Sequence, residues 1–151
     1  SSRACRAVRA VACLTTRASN TVMDGRGMLE KNVWAVVGNH GKNPVVDQLT
    51  ERLRSRGKTV YRVNPYGKPP AEYKSLGEIP DPGSVECVDL VVNPTLGLTI
   101  VEDCDKYNIH NLFIQPGAGS PELIDAARGK QINVHEGCVL VELQPPGAAS
   151  L

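Results

Sequence analysis

The segment Val36-Val37-Gly38-Asn39-His40-Gly41-Lys42-Asn43-Pro44 constrains the fold more than any other part of the chain. An unbroken apolar run, Val33 to Val37, stops at Gly38. A short polar loop with a second glycine follows, and Pro44 then opens a stretch with Val45, Val46, Leu49 and Leu53 at helical spacing. A strand that is apolar at every position needs cover on both faces, the condition of a parallel sheet between helices. The segment therefore predicts a first strand, a tight turn and a first helix. Glycines there let the backbone approach an anion, and amides at a helix start point toward it. A tight turn with no ligand fits the same pattern. The spacing Gly-x-x-Gly-x-x-Pro is neither the Gly-x-Gly-x-x-Gly of dinucleotide sites nor a Walker loop, since no Gly-Lys-Ser/Thr follows.

The rest of the chain repeats the alternation with short links. Gly57 stops the first helix, Thr59 to Val63 reads as the second strand, and Asn64 to Pro70 as a loop. Tyr73, Leu76 and Ile79 are expected to cover a sheet edge before a turn at Pro80-Asp81-Pro82-Gly83. Val88 to Val92 is the third strand, and Leu96, Ile100, Cys104 and Tyr107 mark a second helix. Asn111 to Gln115 is the fourth strand. Ser120 caps a third helix, with Pro121 in its first turn and Glu122 at its positive end. Ile132 to His135 is the fifth strand, and Val139 to Leu143 a last apolar segment that leaves room for a sixth. Right-handed crossovers make this an α/β fold, a doubly wound, mainly parallel sheet of five to six strands with helices on both faces. Ligands of such sheets bind at the carboxyl ends of the strands.

Composition narrows the partners. The 151 residues suit one domain with a workable core. Residues 1–30 carry five Arg against Asp24 and Glu30, whereas residues 31–151 hold 12 basic and 14 acidic side chains. The body thus lacks the basic footprint of a nucleic-acid binder, and six aromatic residues are too few for base-stacking platforms. Five cysteines without a Cys-x-x-Cys pair argue against a disulfide framework or a zinc site and for a reducing compartment. No apolar run approaches the ~20 residues that span a bilayer. Residues 1–30, rich in Ser, Thr, Ala and Arg and free of acid before Asp24, read as an extension of the kind seen in organellar presequences, or else as an unstructured tail. Residues 31–144 are then the folded domain and 145–151 a tail. Mitochondrial localisation is expected on this reading, cytoplasmic otherwise.

The strand ends carry the candidate chemistry. NAD sites place an acid after the second strand for the ribose hydroxyls. Here Arg62-Val63-Asn64-Pro65 has none before Glu72, which turns the reading away from NAD, and Arg62 and Lys68 stand ready for a phosphate or for solvent. Asn93-Pro94 and Gln115-Pro116-Gly117 each put an amide and a proline at the crevice, suited to the amides of a pantetheine arm or to the turn backbone. His40 is expected as a solvent-facing loop residue that meets a phosphate only when protonated. His110 reads as structural, Glu102, Asp103 and Asp105 as a solvated helix face, and Trp34 as core.

These pieces carry a resemblance. VVGNHGKNP, TVYRVNPYGK, VDLVVNP with Gly97 beyond, NLFIQPGAGSPELIDAA and INVHEGCVLVEL, in this order and spacing, resemble the small stand-alone CoA-binding domain proteins. Those are in turn similar to the CoA-binding amino-terminal domain of the succinyl-CoA synthetase α subunit. The match runs from Val33 to Leu143. It implies a Rossmann-like fold and coenzyme A, or a short acyl-CoA, as ligand. It implies that Gly38, Asn39, His40, Gly41, Lys42 and Asn43 face the CoA phosphates, and that Val63, Asn64 and Pro65 lie near the adenosine. Asn93, Pro94, Gln115, Pro116 and Gly117 would line the pantetheine path. Many relatives have Gly-Ala-Ser where this chain has Gly38-Asn39-His40. The synthetase's phosphohistidine domain and nucleotide-binding subunit have no room in this chain, so ligase activity is not carried over.

A catalytic site within the chain is not expected. His135 and Cys138 suggest a thiolate pair, yet no orienting third group is visible in the sequence. Cys138 is read instead as lying near the thiol of bound CoA, within reach of a mixed disulfide. The expected function is a CoA-binding module without catalysis of its own, as a homodimer or beside a partner subunit. The alternatives are a CoA-binding fragment of an acyl-CoA ligase or transferase, and an NAD-binding redox sensor.

Overall fold

Three helices start with the same two-residue device, an Asn or Ser followed by Pro. Asn43 accepts from Val45 N at 3.0 Å, Asn93 from Leu96 N at 2.9 Å and Ser120 from Leu123 N at 3.1 Å. Each side chain satisfies one of the orphan donors at the helix start, and each proline stands where no N–H is needed. The computed structural model describes residues 24–143. Its elements are α1 (Gly25–Leu29), β1 (Val33–Val37), α2 (Pro44–Ser55), β2 (Thr59–Val63), β3 (Cys87–Leu90), α3 (Pro94–Lys106), β4 (Asn111–Ile114), α4 (Pro121–Gly129), β5 (Asn133–Glu136) and α5 (Val139–Glu142). Two short 3₁₀ turns, Leu76–Glu78 and Pro82–Ser84, lie between β2 and β3. Most of the basic extension and the tail lie outside the described residues.

The five strands form one sheet in the order β2-β1-β3-β4-β5, and every pairing is parallel. Alternation along the strands separates two cores. Trp34, Val36, Val60, Cys87 and Phe113 face α1, α2 and α5, where Met28, Val46, Leu49, Leu53, Val139 and Leu143 cover them. Ala35, Val37, Val88, Leu90, Leu112 and Ile114 face α3 and α4. Leu76, Ile79 and Val85, from the segment expected to cover a sheet edge, join this second core, and Tyr73 forms a bridge with Val63 at the β2 edge. A Cβ at Gly97 would collide with Leu123 Cδ1, so this glycine sets how closely α3 and α4 pack.

Two differences from the sequence reading have simple causes. Val139 to Leu143 is no sixth strand: Val139 and Leu143, four apart, are both buried while Val141 is 68% exposed, which is helical periodicity. Five residues are too short for a pattern to separate the two. α1 falls in the stretch read as the extension. Asp24 caps it through Gly27 N at 2.9 Å and Met28 is fully buried. No described helix is long and apolar enough to cross a membrane.

Candidate functional site

The turn between β1 and α2 lies where the winding reverses, since α2 leads back to β2 on one side and β3 starts the other half of the sheet. Gly38 N donates to Val63 O at 3.0 Å, extending the β1–β2 ladder into the turn. A Cβ at Gly38 would lie 2.8 Å from Val46 Cγ2 and 3.2 Å from Val91 Cβ, so only glycine lets the turn sit between α2 and β3. Gly41 adopts φ +85°, and a Cβ there would strike Pro70 at 2.5 Å.

The turn's amides are largely in use. Gly41 N donates to both carboxylate oxygens of Asp47, at 3.1 and 3.2 Å, while Lys42 N and Asn43 N return to Asn39 O. Asp47 therefore occupies an amide that a phosphate would otherwise meet, a feature hidden from sequence because Asp47 lies a helical turn away. An anion at this turn would have to be met by side chains. Lys42 and Lys68 line a cavity of about 160 Å³ together with Asn39 and Tyr66. Asn64 braces it: fully buried, it donates from Nδ2 to Asn39 Oδ1 at 3.1 Å and accepts from Tyr66 N at 2.9 Å. Tyr66, 54% exposed, presents its ring to solvent at the rim. Arg62 does not join them. Its Nε lies 3.7 Å from Glu72, which the chain brings back beside β2.

His40 is the clearest correction. It is wholly buried rather than solvent-facing, and its Nε2–H donates to Val36 O at 2.8 Å. Burial lowers its pKa below the ordinary value, against smaller opposing effects of the Val36 bond and Asp47. In this geometry His40 is a neutral strut inside the turn, with Asp47 Oδ1 3.8 Å from its Nδ1 and no surface left for a ligand anion. Val63 is likewise buried, in the core beneath the sheet end, with Pro65 half-buried beside it.

The second half of the predicted site lies farther along the strand ends. Asn93 Oδ1 is committed to capping α3, with Pro94 behind it. Gln115 is buried and donates to Asp89 Oδ1 at 2.7 Å, whereas Pro116 and Gly117 are exposed, Gly117 with φ +89°. Cys138, half-buried, precedes α5. Three strand spacings separate the end of β1 from that of β5, about 14 Å. The two halves are thus not brought together in one pocket: the cavity at Asn39, Lys42, Tyr66 and Lys68 includes none of Asn93, Gln115, Gly117 and Cys138.

Sequence reasoning missed Asp89 and Glu142. Asp89 carried a signal, an acid inside an otherwise apolar strand. Glu142 carried none: its carboxylate meets His135 Nε2 at 2.9 Å only because α5 folds back over β5. The His135 ring packs on Phe113, with centroids 4.8 Å apart, and fills the space a Cβ of Gly25 would need. Glu142 is the orienting group not visible in sequence, and through His135 it ties α5 to β5. Cys87 and Cys104 are buried thiols whose pKa burial raises, so they stay protonated and inert. No group of three or more metal-ligating side chains occurs among the described residues.

A sequence profile described as the CoA binding domain matches residues 32–144. The chain belongs to this CoA-binding domain family. Solved structures agree on the fold of the domain. A hypothetical protein from Pyrococcus horikoshii OT3 superposes with a TM-score of 0.69 at 25% identity, covering 78% of this chain and 85% of its own. A conserved hypothetical protein from Pyrococcus furiosus gives 0.64 at 28% identity, covering 74% and 99%. The dinucleotide-forming acetyl-coenzyme A synthetase 1 of Ca. Korarchaeum cryptofilum shares the fold with a TM-score of 0.57 at 23% identity, over 71% of this chain and 26% of the synthetase. Among curated proteins no significant sequence match is found.

Proposed function

We propose that the CoA-binding domain holds coenzyme A or a short acyl-CoA along the carboxyl ends of the strands and catalyses no reaction of its own. The observation that carries this reading is the small cavity where Lys42 and Lys68 converge beside Asn39 and Tyr66, at the point where the sheet's winding reverses. Two cations fit the phosphate groups of CoA, and the Tyr66 ring offers an adenine a face to stack on. From there the ligand runs over Gly38 and Asn93-Pro94 toward Gln115-Pro116-Gly117, with its thiol near Cys138. The lack of an acid directly after β2, together with Asn64 in the bracing role, disfavours an NAD ribose.

Calorimetry against CoA, NAD and ATP tests the reading, with CoA expected to bind best and tighter NAD binding overturning it. A Lys42→Glu/Lys68→Glu double variant is expected to lose at least roughly 100-fold in CoA affinity, since each of two charge-assisted hydrogen bonds contributes about 1.5–3 kcal/mol. Its melting temperature should stay within a degree or two of the parent, because both side chains are exposed.

A second reading has one observation in its favour. The fold recurs as about a quarter of a longer synthetase, so this domain suits a role as the CoA site of a multi-part ligase or transferase. Co-purification of a stoichiometric partner with a catalytic domain would favour that role. A chain that purifies alone, as monomer or homodimer, and still binds CoA favours the stand-alone module.

A further inference from the structure

All four residues of β3 are buried, and one of them is an acid. Asp89 has no exposed surface. An ionised carboxylate in such a place needs a cation or several donors. Asp89 has a single donor, Gln115 Nε2 at 2.7 Å on Oδ1. Its Oδ2 has no partner, and neither has Gln115 Oε1, and both atoms are buried. Two planar groups therefore share one hydrogen bond and keep one orphaned oxygen each. Turning the Gln115 amide over only changes which two oxygens are left. A proton on the carboxyl would resolve both deficits at once: Oδ2–H would donate to Oε1 and close an eight-membered acid–amide ring.

No cation stands in for that proton. Along the sheet face Asp89 shares a row with Arg62, Val36, Phe113 and His135. Arg62 and His135 are each two strands away, directed to Glu72 and Glu142 respectively. His40 is turned to Val36 O, with Asp47 on its other side, and Cys87 on the same strand is a protonated thiol. α2 covers the face with Val46, Leu49, Leu53 and Thr50, whose hydroxyl is spent on Val46 O. α1 and α5 add Met28, Val139 and Leu143.

We propose that Asp89 and Gln115 form a proton-completed acid–amide clip that fastens the Gln115-Pro116-Gly117 turn to β3 and loosens when the proton is lost to solvent. Loss of the proton breaks the Oδ2–H···Oε1 bond and leaves a buried anion with one donor. Burial pushes the Asp89 pKa up to about 7, with the Gln115 bond pulling the other way, so the clip opens near neutrality. Asp89 is a positioning residue, acting on the crevice through Gln115. If the CoA reading holds, CoA binds more weakly above neutrality than below it. The clip itself does not depend on that reading.

The test uses the full chain without ligand, so its failure is distinct from failure of CoA binding. Infrared spectra of the parent should show a protonated-carboxyl band at about pH 5 that disappears with a midpoint near 7 and is missing from Asp89→Asn. In that variant a neutral amide–amide ring replaces the clip. Its melting temperature relative to the parent should therefore rise between about pH 4 and pH 7 and level off above. A parent spectrum with no such band, or a variant-minus-parent difference that does not change with pH, overturns the proposal. Should Asp89→Asn fail to fold, Gln115→Leu decides: removing the acceptor must shift the carboxyl band, and an unshifted band refutes the pairing.

Discussion

At the residue scale, the first turn is built from side chains that face inward as much as from glycines. Gly38 is required by contact rather than by backbone angle, since its missing Cβ is the space between Val46 and Val91. Gly38→Leu is expected to destabilise by about 1–3 kcal/mol through overpacking and to abolish CoA binding. Thermal melts and calorimetry read the two effects separately, and a stable variant that still binds would remove Gly38 from the site. His40 shows how burial reverses a role. A histidine in a polar loop reads as a surface group, but this one is sealed under α2 and bonded to Val36 O. Its folded pKa is lowered, so its stabilising contribution is present above the ordinary histidine value and lost as pH falls below it. His40→Asn is expected to flatten the acid side of the stability–pH curve; an unchanged acid limb would show that His40 does not titrate on unfolding.

At the element scale, α5 is the part whose existence the rest of the molecule decides. A helix of four residues has no stability of its own. Three anchors hold it: burial of Val139 and Leu143, the His135–Glu142 pair, and Arg52 Nη1, which donates to Leu140 O at 2.9 Å and Leu143 O at 2.7 Å. Arg52→Ala orphans two carbonyls and is expected to cost about 1–3 kcal/mol. Glu142→Ala, at a pair about one-third exposed, should cost no more than about 1 kcal/mol. Hydrogen exchange at Val139–Leu143 locates both effects, and protection there as in the parent after Arg52→Ala would show the anchor to be idle. The long helices behave differently. The Ser120 cap, Pro121 and Glu122 stand where the sequence put them, whereas Asn43 and Asn93, assigned from sequence to the ligand, prove to cap their own helices as well.

At the scale of the whole molecule, one sheet brings distant loops to one rim and two buried groups set opposing pH dependences. Asp89, with its folded pKa raised to about 7, contributes stability that is fully present below the unfolded carboxyl value and is lost as pH rises toward 7. The full difference is on the order of 4 kcal/mol. His40 acts in the other direction, losing stability on acidification. Denaturant unfolding across pH should therefore show a maximum on the acid side of neutrality in the parent. Asp89→Asn should move that maximum to higher pH, and a curve of unchanged shape would mean that Asp89 is not linked to folding. The β/α alternation, the parallel sheet and the loop from Asn64 to Pro70 were all readable from local pattern. The partners of the site residues were not, because Gln115 and Asp89, or His135 and Glu142, meet only across strands and layers.

The sequence by itself determined the strands, the helices, the Ser120 cap and the glycine turn, because apolar periodicity, a Ser-Pro cap and a tight turn act over a few residues. Its longer motifs also carried the CoA-binding resemblance, which the family profile over residues 32–144 supports. Only the tertiary structure decided which polar groups are free to meet a ligand. It sealed His40, engaged Gly41 N with Asp47, turned Arg62 to Glu72 and left Lys42 and Lys68 at the rim. The physical reason is that burial and pairing belong to the packing of whole layers: a donor's availability depends on what folds over it, and that neighbour is usually far away in the chain.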